Sequence, residues 1–299
     1  MAIPESQLET WSHQGSVTQS SDTYQTMRTA LLSDTALYAD KNFDVFLQGS
    51  YGNDTNIYSE SDVDTVIRLD SIYRGDVSNL PLEQQLAYYL FLANEGGATY
   101  GFDEFKKAVV TRLTTAFGVD DVKAGNKAIK VKPNGSRRSA DVVACYEYRR
   151  FTRFVNKNDC AFISGIIFPS TSSGEVINYP KLHSENLTQK HQAVNSWFKP
   201  TVRIFKNMRS RLVDERLIDK DTAPSYYIEG MLHNVPDDKF GISYVDTFCN
   251  CINWLVQTDR TKFKCAHQQY LLLGNSNVQW PITKCTEFLG ALVKRWQNW

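Results

Sequence analysis

One stretch, residues 43–69, constrains the fold of this chain more than any other and reads FDVFLQGSYGNDTNIYSESDVDTVIRL. Its apolar-rich ends, Phe43–Leu47 and Val63–Leu69, are typical of β-strands, and a polar segment separates them. Polar and apolar residues alternate along the second strand, so Asp62 and Asp64 are expected to point the same way. Because Cα atoms two residues apart on a strand are separated by about 6.5 Å, both carboxylates can reach one pair of divalent cations.

A glycine and a serine, Gly49 and Ser50, directly follow the first strand. At such a turn, backbone N–H groups and a hydroxyl can point toward phosphate oxygens, and glycine lets the backbone approach closely. Mg²⁺ takes oxygen ligands and completes its shell with waters and phosphate oxygens. An Asp-x-Asp pair alone is weak evidence, since most such pairs are solvated surface carboxylates. Combined with the strand and the Gly-Ser turn, the pair predicts a site for metal ions and a phosphorylated partner.

These residues resemble the polymerase-β-like nucleotidyltransferases, whose signature is Gly-Ser followed by Asp-x-Asp on a strand. The family's third carboxylate usually lies on a later strand, and Asp141 in the segment RRSADVVACYEY matches it. A hairpin-type turn at residues 133–135 (Pro-Asn-Gly) is expected to let the Asp141 strand lie beside the strand of Asp62 and Asp64. The resemblance implies that these three catalytic aspartates hold two ions, Mg²⁺ or Mn²⁺. The alternative for Asp141 is an ordinary charge at a strand edge.

The same resemblance implies that the residues around the Gly-Ser turn bind the nucleotide. It assigns this role to Gln48, Gly49 and Ser50. The family's usual second glycine-threonine pair is altered here to Gly-Asn-Asp-Thr at residues 52–55, which leaves the geometry of the phosphate loop open.

A second motif lies in the C-terminal part of the chain, where Lys206 belongs to a basic helix face and Ser225-Tyr226 opens a later helix. A hydroxyl at a helix N-terminus can meet phosphate, and a neighbouring aromatic ring can stack on a base. The motif resembles the oligoadenylate synthase and cyclic GMP-AMP synthase branch. It implies that Lys206 and Ser225 contact triphosphate and that Tyr226 stacks on a nucleobase. The alternative for the basic face is a solvated charged surface.

Taken together, chain length, the three aspartates and the Lys…Ser-Tyr motif resemble the bacterial CD-NTases, the cGAS/DncV-like second-messenger synthases of CBASS anti-phage systems. The resemblance covers residues 40–235, and no motif matches beyond them. It implies synthesis of a cyclic oligonucleotide from NTPs with release of pyrophosphate. We expect a cyclic dinucleotide of the cyclic GMP-AMP type, made from ATP and GTP, and an effector protein that responds to the diffusible product.

Three other functions remain as alternatives. The first is a polymerase that extends RNA ends or makes a linear oligonucleotide, and the second is an adenylyl transferase acting on a small molecule or a protein. The third is a catalytically inactive nucleotide-binding scaffold, although three intact aspartates argue against it. Incubation with ATP and GTP alone would separate the enzymes.

Composition limits the partners. Lys+Arg and Asp+Glu number 33 each, so the chain lacks the overall basic field that attracts long nucleic acids, and we expect no nucleic-acid activator. No apolar run approaches the length of about 18 residues that spans a membrane, and the N-terminus MAIPESQLETW lacks a signal-peptide pattern. These features predict a cytoplasmic protein without a membrane partner, and the CD-NTase resemblance implies that it is bacterial.

The six cysteines lack C-x-x-C spacing, and a cytoplasmic chain should keep them reduced. A zinc site formed by Cys249, Cys251, Cys265 and His267 can be imagined, but the C-x-C and C-x-H spacings are uncommon. We therefore favour buried thiols.

Mixed α/β patterning precedes an all-helical region, which predicts an α+β, two-lobed fold with a mixed-sheet catalytic lobe. We expect the catalytic lobe at 1–185, with a bracing helix over 17–38, and an oligoadenylate-synthase-like helical lobe at 186–299. The nucleotide should lie between the lobes. Further predicted elements are a single long helix over Leu187–Leu217 and a turn over 169–174 that joins two strands.

Overall fold

The computed structural model describes residues 3–15, 17–58, 62–170, 174–276 and 278–299. The helices of these ranges are α1 (Glu5–Ser12), α2 (Thr18–Leu31), α3 (Gly49–Gly52), α4 (Leu82–Asn94), α5 (Phe102–Phe117), α6 (Pro180–Ala193), α7 (Phe198–Asp214), α8 (Ser225–His233), α9 (Tyr244–Gln257) and α10 (Ile282–Gln297). The strands are β1 (Phe43–Gln48), β2 (Val63–Asp76), β3 (Val122–Ala124), β4 (Ile129–Val131), β5 (Ala140–Asn156), β6 (Asp159–Ser170) and β7 (Gly174–Asn178). The predicted turn over 169–174 falls mainly on residues 171–173, and part of the loop before Asp62 falls on 59–61; both lie outside the described residues.

The strands form one mixed sheet in the order β1-β2-β5-β4-β3, and β6 pairs with both β5 and β7. β2 and β5 run parallel, whereas β5 is antiparallel to both β4 and β6. Parallel neighbours need a long crossover connection, which here contains α4, α5 and the β3-β4 hairpin. The predicted placement of the Asp141 strand beside the Asp62/Asp64 strand is confirmed, and so is the α+β class.

Alternating side chains of β2 build the core of the sheet. Val63, Thr65, Ile67 and Leu69 are fully buried, whereas Asp64 lies on the opposite face and stays partly exposed. Helix α5 packs against β5, and Arg112 of α5 donates from Nε to the carbonyl of Ala30 in α2 (2.9 Å). This contact ties α2 to the helix that packs on the sheet.

The bracing helix is shorter than predicted, because α2 ends at Leu31 rather than at residue 38. Tyr38 is fully buried, and its hydroxyl donates to the carbonyl of Leu31 (2.9 Å). The chain therefore turns back on itself, and the Tyr38 side chain satisfies a carbonyl that the helix leaves without an intrahelical partner.

The single helix predicted over Leu187–Leu217 is wrong, because the structure has two helices, α6 and α7, in this range. Asn195 and Ser196 lie between them with φ of 49° and 69°, in the left-handed region that interrupts a right-handed helix. The missed signal was Pro200, which is tolerated in the first turn of a helix but not in its interior.

The chain divides into two compact units whose segments alternate along the sequence. The sheet unit comprises residues 19–47 and 62–180, and the helical unit comprises residues 1–18, 48–61 and 181–299. The change near residue 181 lies close to the expected boundary at 185, but residues 1–18 and 48–61 group with the helices. Within the described ranges, no helix combines the length and apolar character needed to cross a membrane.

The core of the helical unit is large and apolar. Phe205 of α7 and Phe248 of α9 pack with ring centroids 4.8 Å apart, and Trp280 is fully buried with its indole Nε1 donating to the carbonyl of Thr222 (2.8 Å). A rigid apolar core of this kind fixes the faces of α7 and α8 that carry polar side chains.

Candidate active site

Two of the predicted catalytic aspartates are direct neighbours in the sheet. Asp64 of β2 and Asp141 of β5 are paired residues across the parallel strands. Because paired residues on adjacent strands project from the same face, the two carboxylates lie side by side. Asp62 comes two residues before Asp64 and is exposed, whereas the other two are partly buried. We call Asp62, Asp64 and Asp141 the carboxylate face.

Opposing charges act on Asp141 of the carboxylate face. Burial raises the pKa of Asp141, and the negative charge of Asp62 raises it further. Lys130, the cross-strand neighbour of Asp141 on β4, acts in the opposite direction and lowers the pKa. Repulsion between nearby carboxylates is the situation that a bound divalent cation relieves.

The donor set suits a hard cation such as Mg²⁺. Carboxylate oxygens are its preferred protein ligands, and two adjacent strands carry Asp64 and Asp141, with Asp62 directly before the first of these strands. In the part of the chain that is described, however, no three His, Cys, Asp or Glu side chains already surround a single point. The carboxylate face thus fits a metal site by residue type, register and shared face, and the side chains have yet to converge.

The predicted phosphate-binding residues begin where β1 ends. We call residues 48–55 the phosphate turn. Gly49 has a φ of 70°, in the left-handed region where a residue with a Cβ is strained. Backbone bonds close the turn, because the N–H of Asn53 donates to the Gly49 carbonyl (3.0 Å) and that of Thr55 to the Ser50 carbonyl (2.9 Å). Among the described residues nothing donates to Gln48 Oε1, a buried acceptor that a ligand could satisfy.

Lys206, the predicted triphosphate contact, has no exposed surface. Its Nζ donates to the carbonyl of Thr55 (3.1 Å) and to Thr55 Oγ1 (3.3 Å), and it lies 3.2 Å from Glu229 Oε1. Lys206 is therefore an internal partner of the phosphate turn in this structure.

Glu229 of α8 is the centre of this buried cluster. Its Oε1 accepts from Thr55 Oγ1 (2.5 Å), and its Oε2 accepts from Asn53 Nδ2 (3.1 Å) and lies 2.9 Å from His183 Nε2. Burial alone would raise the pKa of Glu229, but the Lys206 charge and the bonds from His183 and Thr55 lower it to about 2. The carboxylate is thus ionised and fully hydrogen-bonded at neutral pH.

The other members of the basic helix face also hold the phosphate turn. Lys199 Nζ lies 2.9 Å from Asp54 Oδ2, and Arg203 donates to the carbonyls of Asp54 and Ser12 (both 2.5 Å). Lys199, Arg203 and Lys206 lie at helical spacing on α7 and face residues 54–55. The face is packed against the turn and is not a solvated surface.

Ser225 and Tyr226 begin α8 directly after Pro224, as the sequence predicted. Ser225 is partly exposed at the helix N-terminus. The Tyr226 ring stacks on His183 with centroids 4.9 Å apart and planes at 20°, and burial raises its pKa well above the usual value. One ring face is therefore occupied by His183, and the ring also makes an edge contact with Tyr227.

Sequence reasoning missed four residues of the helical unit's site, namely Asn53, Thr55, His183 and Glu229. A usable signal was the placement of Lys206 and Glu229 among apolar residues, in IFKNM and YIEGM. Charged residues are almost never fully buried unless they are paired, so each of the two pointed to a partner.

The cysteine and histidine residues considered for zinc are placed as follows. Cys251, Cys265 and His267 are buried and Cys249 is partly exposed, and all the cysteines are free thiols. Burial raises the pKa of Cys251 to about 12 and that of Cys265 to about 11.

A family model for the cGAS/DncV-like nucleotidyltransferase C-terminal helical domain matches residues 185–297. A cyclic UMP-AMP synthase of Rhodothermus marinus (strain SG0.5JP17-172) is 40% identical over 300 residues, which cover 100% of this chain and 99% of that protein. The chain belongs to the cGAS/DncV-like nucleotidyltransferases, the CD-NTases. It is thus a nucleotidyltransferase, and the resemblance drawn from its motifs is confirmed.

Other CD-NTases are similar over the full length. The cyclic nucleotide synthase CdnE01 of Staphylococcus haemolyticus is 35% identical and is covered over 100% of both chains. The solved structure of the R. marinus enzyme with Apcpp and Upnpp superposes with a TM-score of 0.88 over 99% of this chain and 97% of that one. The Elizabethkingia meningoseptica CdnE cyclic dinucleotide synthase with GTP and Apcpp is 28% identical, with a TM-score of 0.77 over 99% and 98%. These likenesses confirm the polymerase-β-like fold expected from the sequence.

Proposed function

We propose that this CD-NTase joins two nucleoside triphosphates into a cyclic dinucleotide and releases pyrophosphate at each of two transfer steps. The observation that carries the proposal is the cross-strand pairing of Asp64 with Asp141. Asp62 lies two residues before Asp64 in the sequence. Full-length relatives named as cyclic nucleotide synthases support the cyclic product.

In this proposal the carboxylate face holds two Mg²⁺ or Mn²⁺ ions. When bound, such ions lower the pKa of an attacking hydroxyl and stabilise the charge of the displaced phosphate. Asp62 and Asp64 serve the donor nucleotide, and Asp141 orients the acceptor ribose hydroxyl and accepts its proton.

The helical unit contributes groups for the triphosphate and the base. Gly49 and Ser50 offer a close backbone approach and a hydroxyl to the phosphates. Gln48 offers a buried amide oxygen that can accept a hydrogen bond from a donor group of the nucleotide. Ser225 adds a hydroxyl at a helix N-terminus, where phosphate is favoured. We assign Tyr226 to stacking on a nucleobase, as the family resemblance implies. Lys206 belongs to this set through its bonds to Thr55.

Adenine is the base we propose for one of the two nucleotides. The R. marinus relative is named a cyclic UMP-AMP synthase, and the solved structures of both this relative and the E. meningoseptica relative carry an adenosine analogue. For the second base, the full-length likeness to the R. marinus enzyme favours uracil beside the guanine expected from the sequence. Cyclic UMP-AMP and cyclic GMP-AMP are therefore the two candidate products.

We further propose that the product is a diffusible second messenger for an effector protein in anti-phage defence, as the CD-NTase family membership suggests. The rival activities are extension of RNA ends and synthesis of a linear oligonucleotide.

The test is incubation of the purified protein with all four NTPs and Mg²⁺, followed by phosphatase treatment and mass spectrometry. We expect a phosphatase-resistant dinucleotide that contains AMP, and omission of single NTPs identifies the second base. A dinucleotide product that loses terminal phosphates to phosphatase and keeps a single phosphodiester is linear, and it would overturn the cyclase assignment. A ladder that grows only on added RNA would point to an RNA-end polymerase.

A further inference from the structure

Helix α4 of the sheet unit exposes an apolar face. Its inner side packs on the sheet through Tyr88, whose ring centroid lies 5.2 Å from that of Phe151 and 5.1 Å from that of Phe154. On the outer side, four large side chains follow one another at i, i+4, i+7 and i+8, which is the spacing of a single helix face. We call them the α4 stripe, and their exposed fractions are 71% for Leu82, 55% for Leu86, 57% for Tyr89 and 66% for Leu90.

The α4 stripe is unusual for the solvent side of a helix, where charged and polar residues normally lie. Glu83 is the one charged residue among the 13 of α4, and the helix contains no Lys or Arg. Elsewhere in the sheet unit, Val119 is more exposed, but Gly118 and Asp120 flank it in the sequence. Single exposed apolar side chains are common, whereas a contiguous apolar patch indicates a contact surface.

The charge pattern favours a second copy of this chain as the partner. Helices that lie on membranes use Lys and Arg to meet anionic lipids, and α4 has neither. The chain has 33 basic and 33 acidic residues, so two copies carry no net charge that would keep them apart. The α4 stripe is itself uncharged, so identical stripes can meet without repulsion.

The spacing within α4 is also self-complementary. Leu82 and Leu86 are four residues apart, and so are Tyr89 and the exposed Ala93. When two α4 helices lie antiparallel across a two-fold axis, Leu86 of one copy therefore faces Tyr89 of the other. Leu82 then faces Ala93 one turn further out. The same patch serves both copies, as a two-fold dimer requires.

The area of the α4 stripe is sufficient for a weak dimer. Side chains of this size, each exposed by more than half, leave on the order of 500 Å² per copy and about 1,000 Å² for a pair, which is the lower limit for a specific interface. Contacts near this limit form weak, reversible complexes. The dimer should therefore dissociate on dilution.

We propose that the α4 stripe is the interface of a homodimer in which two α4 helices pack antiparallel across a two-fold axis. This interface leaves the carboxylate face open. Helix α4 packs on Phe151 and Phe154 of β5, whereas Asp141 lies at the start of the same strand, roughly 30 Å away at the rise of a β-strand. Turnover per chain should therefore not depend on dimerisation.

The first test is the mass of the full-length protein in solution. Sedimentation equilibrium without nucleotide would cover about 1 to 100 µM, the range in which weak interfaces dissociate. We expect the average mass to rise with concentration from 34.1 kDa toward twice that value. An average mass that stays at 34.1 kDa across this range would overturn the proposal.

The second test is whether the α4 stripe forms the dimer. Leu86→Glu places a carboxylate at the centre of the stripe in both copies, and we expect dimer affinity to fall about tenfold or more, as for a central interface residue. Val119→Glu makes the same change at an exposed apolar residue outside the stripe and should dimerise like the wild type. Dimerisation of Leu86→Glu with wild-type affinity would place the contact elsewhere and contradict the proposal.

Folding of these variants is checked by circular dichroism and by turnover, which should match the wild type because the stripe is far from the carboxylate face. If Leu86→Glu does not fold, Leu90→Glu provides the same comparison, since that side chain is more exposed. A folded variant that turns over normally but stays monomeric is the expected result.

The third test concerns the orientation of the two helices. Tyr89→Lys places an ammonium group where antiparallel packing brings it against position 86 of the other copy. We expect an equimolar mixture of Leu86→Glu and Tyr89→Lys to associate more tightly than either variant alone, because opposite charges then meet. A mixture that associates no better than the separate variants would contradict the antiparallel arrangement.

A lipid surface is the alternative occupant of the α4 stripe. Flotation with vesicles of phosphatidylethanolamine and phosphatidylglycerol should leave the wild type in the protein fractions, because α4 lacks basic residues. Flotation of the wild type but not of Leu86→Glu would assign the stripe to a membrane and overturn the homodimer.

Discussion

The carboxylate face and the phosphate turn differ in how their charges are balanced. Around the phosphate turn each buried charge has a partner, since Glu229 receives bonds from Asn53, Thr55 and His183 beside the Lys206 ammonium. On the carboxylate face burial and the Asp62 charge both raise the pKa of Asp141, and Lys130 offsets only part of this. The charge of Glu229 is stabilised by its neighbours, and its pKa is lowered to about 2, whereas the surroundings of Asp141 raise its pKa.

This difference indicates which part of the chemistry each region supplies. A site whose groups are already satisfied can hold a fixed shape for a ligand, and its contribution is preorganisation. A site with excess negative charge on one sheet face is suited to take up cations from solution. In this account, hydrogen bonds within the chain position the phosphate turn, and bound ions stabilise the charge of the reacting phosphates.

The largest effect should come from removing charge at the carboxylate face. Asp64→Asn, and separately Asp62→Asn, should reduce turnover to no more than a few per cent of wild type, because each substitution removes a negative ligand of the ions. The fold should persist, since Asn has nearly the same shape. Product formation at saturating Mg²⁺ and circular dichroism provide the measurements, with the exposed Asp120→Asn as the control. Substantial turnover by Asp64→Asn would contradict the assignment of this face.

Chelation should have a similar effect on activity but not on the phosphate turn. We expect removal of divalent ions with EDTA to stop synthesis, and added Mg²⁺ or Mn²⁺ to restore it, because in our proposal the carboxylate face acts through bound ions. Melting of the wild type with and without EDTA should differ little in the absence of nucleotide. Full activity in EDTA would remove the distinction between the two regions.

An intermediate effect is expected at the base-stacking ring of the helical unit. Tyr226→Ala should weaken NTP binding by roughly tenfold or more, since loss of a stacked aromatic costs about 1–3 kcal/mol. Tyr226→Phe should bind nearly as well as wild type, because the ring and not the hydroxyl meets the base. Equal losses for the two variants would show that the hydroxyl or the packing of the ring matters instead.

A small effect on stability should distinguish the two regions in the absence of metal. Because its folded pKa is raised above the usual value of 3.8, ionised Asp141 destabilises the fold at neutral pH. Asp141→Asn should therefore melt slightly higher in EDTA at pH 7, where a gain of 1 kcal/mol corresponds to about 2–4 °C. The gain should vanish as the pH falls toward 3.8 and Asp141 takes up its proton. A lower melting temperature for the variant at pH 7 would contradict this account.

No effect is expected from nucleic acid. The basic residues of α7 are engaged by the phosphate turn, since Lys199 pairs with Asp54 and Arg203 donates to the Asp54 carbonyl. The densest basic run of the sequence, residues 149–153, is also paired in part, because Arg153 forms an ion pair with Asp159. Nuclease-treated protein should therefore make product from NTPs and metal alone. Activity that appears only with duplex DNA or RNA, and falls with salt, would reveal a basic surface used for activation.

The sheet and its carboxylates were predictable because their signals are local. Alternation along Val63–Leu69 indicated the face of Asp64, and the turn at residues 133–135 indicated the pairing of the Asp141 strand with β4. The parallel pairing with β2 follows a long crossover and came from the family resemblance. Strand β2 extends further than the predicted Val63–Leu69, to Asp76, because its later residues are more polar than the pattern used to find it. The periodicity of apolar residues and the residue types of a turn depend on residues that are close in the sequence. The sequence therefore shows them directly.

The cluster around Glu229 was not predictable in the same way. Its members come from three separate segments, with Thr55 in the phosphate turn, His183 on α6 and Lys206 on α7. Patterning shows that Lys206 and Glu229 occupy buried helix positions but not which partner each finds. The family resemblance implies that Lys206 contacts triphosphate. The structure was needed to show that its side chain is enclosed.

The most direct test of the account is to locate the ions. Crystals grown with Mn²⁺ and an uncleavable ATP analogue would be measured at the manganese absorption edge, where anomalous peaks mark the metal. The account predicts two peaks ligated by Asp62 and Asp64, with Asp141 completing one of them, and none beside Glu229. Peaks absent from the carboxylate face, or a peak at Glu229 in place of Lys206, would contradict it.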